Sequence, residues 1–349
     1  MNSGHPLPST TDRGAPARIV HLIEPAARDV GGRGVGSDAA CLLCAALIRA
    51  TPEIEHRVCI FGSTRAIRNA RLLGLPVHGR IVPILGRSER SGRAFVRWLE
   101  AQVPPDAVHA WSLGTWQSVP LGLGLPAYAT LLTHGLPRPN LGAFSTVLWP
   151  SSIEDMSLPI AATPPVRQRE HLRCELGIDP SAKVLALLAD PTAAVDPRSC
   201  IWAARMLDLV DLPVVLLVPG SLRLGAAVRT LARELGESDR ILCIADPVIA
   251  LVEAADCAII LDPVNPLAGS ILAGATAGRG VPVIAPPECL RGLAPEFAWP
   301  VQPISAQQLA TTIAAVLRHP RGVSLPPAFD PSPFLRLWTS DPVARTIDA

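Results

Sequence analysis

Charge is scarce in this chain. Only 17% of its 349 residues are Asp, Glu, Lys or Arg, against roughly 25% in an ordinary globular protein. Together with 49% hydrophobic residues, that excludes disorder over most of the length. The charges present nearly cancel, since 31 Lys+Arg against 30 Asp+Glu leave +1. Such a balance supplies no field to draw in nucleic acid or an anionic membrane. Lysine is almost missing, Lys183 being the only one, and aromatics make up 4%. Proline, by contrast, reaches 37, and the bias toward Ala, Arg and Pro reads as genomic base composition.

Long apolar runs are also missing. No stretch approaches the roughly 18 uninterrupted apolar residues that span a bilayer, and the greasiest segments, at 212–218 and 257–261, have strand length. The first sixteen residues are polar, rich in Gly and Pro, and lack the apolar segment of a signal peptide. They read as a disordered tail, and the chain as a soluble, cytoplasmic protein with no membrane span and no nucleic-acid partner. Eight cysteines lie at 41, 44, 59, 174, 200, 243, 257 and 289, within apolar runs of a long, unsecreted chain. They read as reduced core thiols rather than a disulfide framework.

What is present is alternation. From Ala17 onward, short apolar or β-branched runs exchange with longer Ala/Leu/Arg-rich stretches, the pattern of parallel sheets with crossover helices. In the first half, strands are expected at 18–22, 57–61, 80–84, 107–111, 127–133 and 146–149, with helices at 37–49, 64–72 and 90–101. A Pro- and Ser-rich stretch at 151–169 shows no sustained period and reads as an interdomain linker. In the second half, strands at 184–188, 214–218, 240–244, 257–261 and 281–285 alternate with helices near 198–209, 221–235, 248–255, 267–278 and 305–318. Continuous apolar strands are those buried on both faces, which favours a doubly wound α/β sheet. A Pro-rich stretch at 320–333 then leads to an amphipathic piece at 334–347. At this length, two domains are the default.

Several segments carry a resemblance. Gly31, Gly32, Gly34 and Gly36 precede Ser37 and a helix. Val108-His109-Ala110-Trp111 and Leu132-Thr133-His134-Gly135 stand at strand ends. Residues 169–180, Ala254-Ala255-Asp256-Cys257, 277–285 and Phe334–Trp338 follow in order. In this order the chain resembles the GT-B glycosyltransferases, specifically family 4. That resemblance implies two Rossmann-like doubly wound domains facing a cleft, with a C-terminal helix returning to the first. It divides the chain into a tail at 1–16, an acceptor-side domain at 17–155, a linker at 156–170, a donor-side domain at 171–320 and a returning segment at 321–349. It also implies transfer of a sugar from a UDP-, GDP- or ADP-linked donor to an unnamed acceptor, without metal or cofactor. Gly34, Gly36, Ser37, Arg198, Asn265 and Gly269 would hold the donor and its phosphates, His134 would be the catalytic group, and His109 with Trp111 would lie on the acceptor side.

The chain departs from that family at the donor. The family holds the donor with two glutamates eight residues apart, one of which accepts both ribose hydroxyls. Here Asn265 and Ala273 occupy the spacing, and no acid occurs between Asp262 and Glu288. The Arg and Lys that would neutralise the diphosphate are replaced by a stretch holding Asp190 and Asp196, with Arg198 the nearest cation. Each lost charged contact costs on the order of 2–4 kcal/mol of transition-state stabilisation. A GT-B scaffold that has lost catalysis and serves as a binding or regulatory partner is therefore the alternative.

The same residues have plainer readings. The glycine loop could bind phosphate at a helix N-terminus or simply form a tight turn with Ser37 as N-cap. His134 and His109 could line a cleft or be packed, and Trp111 could stack a sugar or sit in the core. Cys41 and Cys44 have CxxC spacing but lie inside an apolar helix, so both thiols are expected to face the sheet. Asp190, Asp196 and Asp262 stand at strand ends, where turn and capping roles suit them.

Overall fold

The computed structural model describes residues 16–24, 38–82, 88–112, 115, 119, 125–130, 145–148, 168–188, 197–220, 225–244, 247–261, 266–301, 305–318 and 329–339. Two six-stranded sheets, parallel throughout, form its frame.

The first sheet contains β1 (Arg18–Ile23), β2 (Glu55–Phe61), β3 (Val77–Ile81), β4 (Ala107–Ala110), β5 (Ala127–Thr130) and β6 (Ser145–Leu148), in the spatial order β3-β2-β1-β4-β5-β6. Helices α1 (Asp38–Ala50), α2 (Thr64–Leu72) and α3 (Ser88–Glu100) are its crossovers. After α4 (Arg169–Glu175) comes the second sheet: β7 (Lys183–Leu188), β8 (Val214–Pro219), β9 (Ile241–Ile244), β10 (Cys257–Ile260), β11 (Val283–Ala285) and β12 (Ala298–Pro300), ordered β12-β11-β10-β7-β8-β9. Its helices are α5 (Arg198–Asp208), α6 (Gly225–Glu234), α7 (Val248–Val252), α8 (Pro266–Ala277) and α9 (Ala306–Arg318), with a 3-10 turn at Pro287–Leu290. The last helix, α10 (Ser332–Thr339), returns to the first sheet, where the Tyr128 hydroxyl of β5 donates to the Trp338 carbonyl at 3.1 Å.

The interior strands follow from their apolar runs. In β7 every residue after Lys183 is buried, as a strand covered on both faces requires. Of the four edge strands, β6 and β9 lie within one residue of the expected ranges, whereas β3 and β12 differ. β3 lies at 77–81 rather than 80–84, and its alternating exposure marks a solvent-facing edge where no continuous apolar run is needed. β12, only three residues long, was not expected at all.

Two helices are apolar nearly all round, which marks a helix buried between layers. In α1 all of Asp38 to Leu47 is buried. α8 starts on Pro266, suited to a first helical position, and carries no charged residue. The two pack against each other, and one apolar cluster runs from Leu43 and Leu47 through Ile271 and Leu272 to Val184 and Ile260 of the second sheet. Burying one such Leu contributes about 1.5–3 kcal/mol, so the two sheets share a continuous core. α4 is fixed to the second sheet differently. Asp256, just before β10, accepts from Arg169 at 2.5 Å, from Arg173 at 2.7 Å and from the Val184 amide at 2.8 Å. Burial pushes this carboxyl up, but the amide and the two guanidinium groups outweigh it and hold it below the usual carboxylate range.

Candidate functional site

Open parallel sheets bind ligands outside the carboxyl ends of their strands, at the point where strand order reverses. In the first sheet that point falls between β1 and β4; in the second it falls between β7 and β10. Gly34, Gly36 and Ser37 follow β1 in the chain, Asn265 follows β10 and His134 follows β5; all five lie outside the described residues, as do Asp190, Asp196 and Asp262. Among the described residues, Arg198, Gly269, His109 and Trp111 remain.

Arg198 is exposed on the first residue of α5, the helix entered after β7. Across the reversal point, α8 follows β10, next to β7 in the sheet. Arg198 therefore stands at the start of the helix that follows β7.

Gly269 performs a packing task. A Cβ built on it would lie 2.5 Å from the Cys289 sulfur, so only glycine lets α8 approach the 3-10 turn this closely. The next residue, Ser270, donates to the Glu288 carbonyl at 3.3 Å, which ties the same two elements. Ala273, on the same helix, is fully buried. The one base of this segment, Arg279, donates to the Ala275 carbonyl at 2.8 Å. Burial pushes its pKa down to about 10, against the attraction of Glu253 and with the repulsion of Arg49.

His109 and Trp111 correct the expectation of an acceptor-side platform, because both face the core. The reason is strand parity: Ala107 and Trp111 belong to the cluster shared with α1, whereas Val108 and Ala110 face the other side. His109 is 0% exposed and Trp111 2%, and their rings stack with centroids 4.4 Å apart. They belong to a buried group that includes His21, His56 and Trp338, and His21 pairs with His109 in the β1–β4 register. His21 and His56 were not singled out from sequence; His21 is an isolated polar residue within an apolar strand, whereas His56, between Glu55 and Arg57, gave no such signal.

The hydrogen bonds of this group fix its protons. The Trp111 indole can only donate, and it donates to Nδ1 of His21 at 3.1 Å. His21 therefore carries its proton on Nε2, which donates to Nδ1 of His56 at 2.9 Å. His56 in turn donates from Nε2 to the Thr51 hydroxyl at 2.8 Å, and that hydroxyl donates to the Leu47 carbonyl at 2.7 Å. A second chain runs from the Trp338 indole to Nδ1 of His109 at 3.2 Å, and from Nε2 of His109 to the Thr130 hydroxyl at 2.8 Å. All three imidazoles are neutral. Burial lowers each pKa, His21 well below 6.5 with His56 and His109 adding repulsion, and His109 to about 3. These rings are structural.

Other chemistry-bearing residues fall into place the same way. Cys41 and Cys44 are both buried, reduced thiols, and burial pushes the Cys44 thiol well up, which makes it a poor nucleophile. A cavity of about 510 Å³ lies beside the Asp256 anchor and is bordered by Lys183, Ser181 and Cys174. It sits at the amino ends of β7 and β10, away from the ligand edge. Among the described residues no group of His, Cys, Asp and Glu is arranged to hold a metal ion, and no helix is long and apolar enough to cross a membrane.

No protein-family model and no curated relative matches the sequence. Solved structures do match. UDP-GlcNAc 2-epimerase of Methanocaldococcus jannaschii, in complex with UDP-GlcNAc and UDP, aligns over 92% of this chain and 98% of its own with a TM-score of 0.52 and 11% identity. A protein of Listeria monocytogenes described as a UDP-N-acetylglucosamine 2-epimerase aligns over 94% and 92%, with a TM-score of 0.50 and 13% identity. WaaG, a glycosyltransferase involved in lipopolysaccharide biosynthesis, aligns over 93% and 94%, with a TM-score of 0.48 and 17% identity. The architecture is GT-B, two parallel α/β sheets with a returning C-terminal helix.

Proposed function

We propose that this protein binds a nucleotide-linked sugar at the carboxyl ends of its two sheets and acts as a divergent glycosyltransferase. The observation that carries this reading is the GT-B frame itself. It extends over nearly the whole chain, and the neighbour with a TM-score of 0.52 is a complex with UDP-GlcNAc and UDP. On this reading Gly34, Gly36 and Ser37 offer amides to the diphosphate at the start of α1. Arg198 supplies the cation opposite them, and Asn265 stands beside the donor. The bond from the sugar C1 to the diphosphate oxygen breaks, the diphosphate leaves with its electron pair, and the acceptor oxygen bonds to C1. His134 takes the proton that the acceptor hydroxyl releases. No step of this scheme requires a metal.

One observation favours the second reading, a GT-B scaffold without transferase activity. Ala273 is fully buried where a ribose-binding glutamate would stand, and no acid lies between Asp262 and Glu288. Thermal shift with UDP-, GDP- and ADP-sugars, followed by chromatography for released nucleoside diphosphate, separates the two. A ligand at 100 times its Kd stabilises by about 2.7 kcal/mol. Stabilisation with nucleotide release supports the transferase. Stabilisation without release, for every acceptor and for water, supports the scaffold, and no stabilisation at millimolar donor removes the nucleotide-sugar reading altogether.

A further inference from the structure

The returning helix α10 meets the first sheet through polar contacts, one of which depends on protonation. The Trp338 indole donates to Nδ1 of His109 at 3.2 Å, and the Tyr128 hydroxyl donates to the Trp338 carbonyl at 3.1 Å. Phe334, one turn earlier, packs 6.1 Å from the His109 ring and 5.7 Å from that of Trp111. Behind His109 stand His21, at 5.8 Å between ring centroids, and beyond it His56.

We propose that α10 is held by a proton-sensitive latch, in which the Trp338 indole N–H requires a neutral His109, and that proton uptake by the His21–His56–His109 cluster releases the helix while the second sheet stays folded. This inference is independent of the proposed sugar chemistry.

The argument is one of donor and acceptor inventory. Both ring nitrogens of His109 are already committed, Nδ1 as acceptor from Trp338 and Nε2 as donor to Thr130. A proton added to Nδ1 sets N–H against N–H and abolishes the bond to the helix. A proton added to Nδ1 of His21 does the same to Trp111, and one added to Nδ1 of His56 does it to His21. His109 therefore refuses a proton as long as α10 is in place, while His21 and His56 are blocked by Trp111 and His21 and lie under the Trp338 ring, whose centroid is 6.2 and 6.1 Å from theirs.

Among the described residues, Glu53, in the turn before β2, is the acid that favours a new charge on the cluster, and it does so at His56, against the effect of burial. His109 meets its neighbours His21 from β1 and His56 from β2 as further bases that repel it. From β5 it meets Thr130, and Tyr128 there is turned to the helix backbone. Thr51 and the Leu47 carbonyl, at the end of α1, are neutral. On α10 itself Arg336 is exposed, and Asp330 precedes the helix. Released histidines take protons near pH 6.5, so the opening equilibrium of α10 rises by up to tenfold per pH unit for every histidine that opening lets ionise.

Amide hydrogen exchange on the full chain, corrected for the intrinsic pH dependence of exchange, reads that equilibrium. Between pH 6.5 and 5 the opening constant of residues 334–339 is expected to rise about fifteenfold for each histidine that opening lets ionise, while amides of β7 remain protected. In His109→Asn, whose Oδ1 still accepts from the indole but does not titrate, the rise over that range is expected to be smaller by that one factor of about fifteen. An α10 opening constant that does not change with pH, or one that rises together with the β7 amides, overturns the latch. Should His109→Asn fail to fold, ¹⁵N NMR of the wild-type imidazoles decides. A His109 with an unprotonated Nδ1 that persists until α10 opens supports the proposal; a His109 that titrates near 6.5 under a protected helix refutes it.

Discussion

The α-carbon of Gly269 lies so close to the thiol of Cys289 that a Cβ would come within 2.5 Å of the sulfur. Alanine would improve the intrinsic helix propensity of α8 by about 0.8–1 kcal/mol. The Cys289 side chain is fully buried, however, and overpacking of this kind costs about 1–3 kcal/mol. The clash should win, so Gly269→Ala is expected to lower the urea midpoint, and the double variant with Cys289→Ala to recover part of the loss. A single variant at least as stable as the parent would show that α8 can shift away from the 3-10 turn.

The donor-side helix allows a second, sharper expectation. If the ribose anchor could be restored, Ala273→Glu would tighten nucleotide-sugar binding. Because Ala273 is fully buried among apolar neighbours, the new carboxylate would stand uncompensated in the core, at a cost of about 3–5 kcal/mol. Reduced stability with no gain in donor affinity is expected. Calorimetric titration showing tighter binding in this variant would mean that α8 faces the ligand.

Acid should destabilise the protein in two stages. His21 and His109 have folded-state pKa values below their unfolded value of about 6.5. The unfolded chain therefore binds more protons at low pH, and the stability these residues contribute is complete above 6.5 and lost as pH falls. Each adds a slope of about 1.4 kcal/mol per pH unit, down to about pH 3 for His109. Asp256, held below the usual carboxylate range, adds a second loss below about pH 4. Urea midpoints from pH 7.5 to 5 are expected to fall, and a flat profile would contradict the neutral-histidine assignment.

The Asp256 anchor makes its own prediction. Arg173 is 7% exposed and donates to Asp256, to the Ala254 carbonyl and to carbonyls of the 180–182 turn. Asp256→Ala leaves that buried guanidinium without its counter-charge, which costs about 3–5 kcal/mol. Removing Glu55 from its exposed pairing with Arg18 and Arg57 should cost far less, because solvent screens such a pair. Equal effects of the two substitutions would deny Asp256 its anchoring role.

These cases show where the sequence could be read and where it could not. Interior strands such as β7 and β8 were legible because burial on both faces leaves an uninterrupted apolar run. Edge strands β3 and β12 were not, since one face meets solvent and a short alternating or Pro-containing segment suffices. His109 and Trp111 stood at a strand end, which suggested a cleft, but strand parity turned both to the α1 face. Their partners His21, His56 and Trp338 come from three further segments, and only the parallel register and the returning helix bring them together. The packing role of Gly269 was hidden for a like reason, because Cys289 is twenty residues away in the chain. Arg198 was expected after β7 and is exposed on the first residue of α5.

The most direct test of the central claim is calorimetric titration of UDP-, GDP- and ADP-linked sugars into the wild-type protein and into Arg198→Ala. A charged hydrogen bond is worth about 1.5–3 kcal/mol. Binding of at least one donor, weakened roughly ten- to hundredfold by loss of Arg198, is the predicted result. No binding of any donor at millimolar concentration, or equal affinity in both proteins, would contradict a nucleotide-sugar site at the ligand edge of the second sheet.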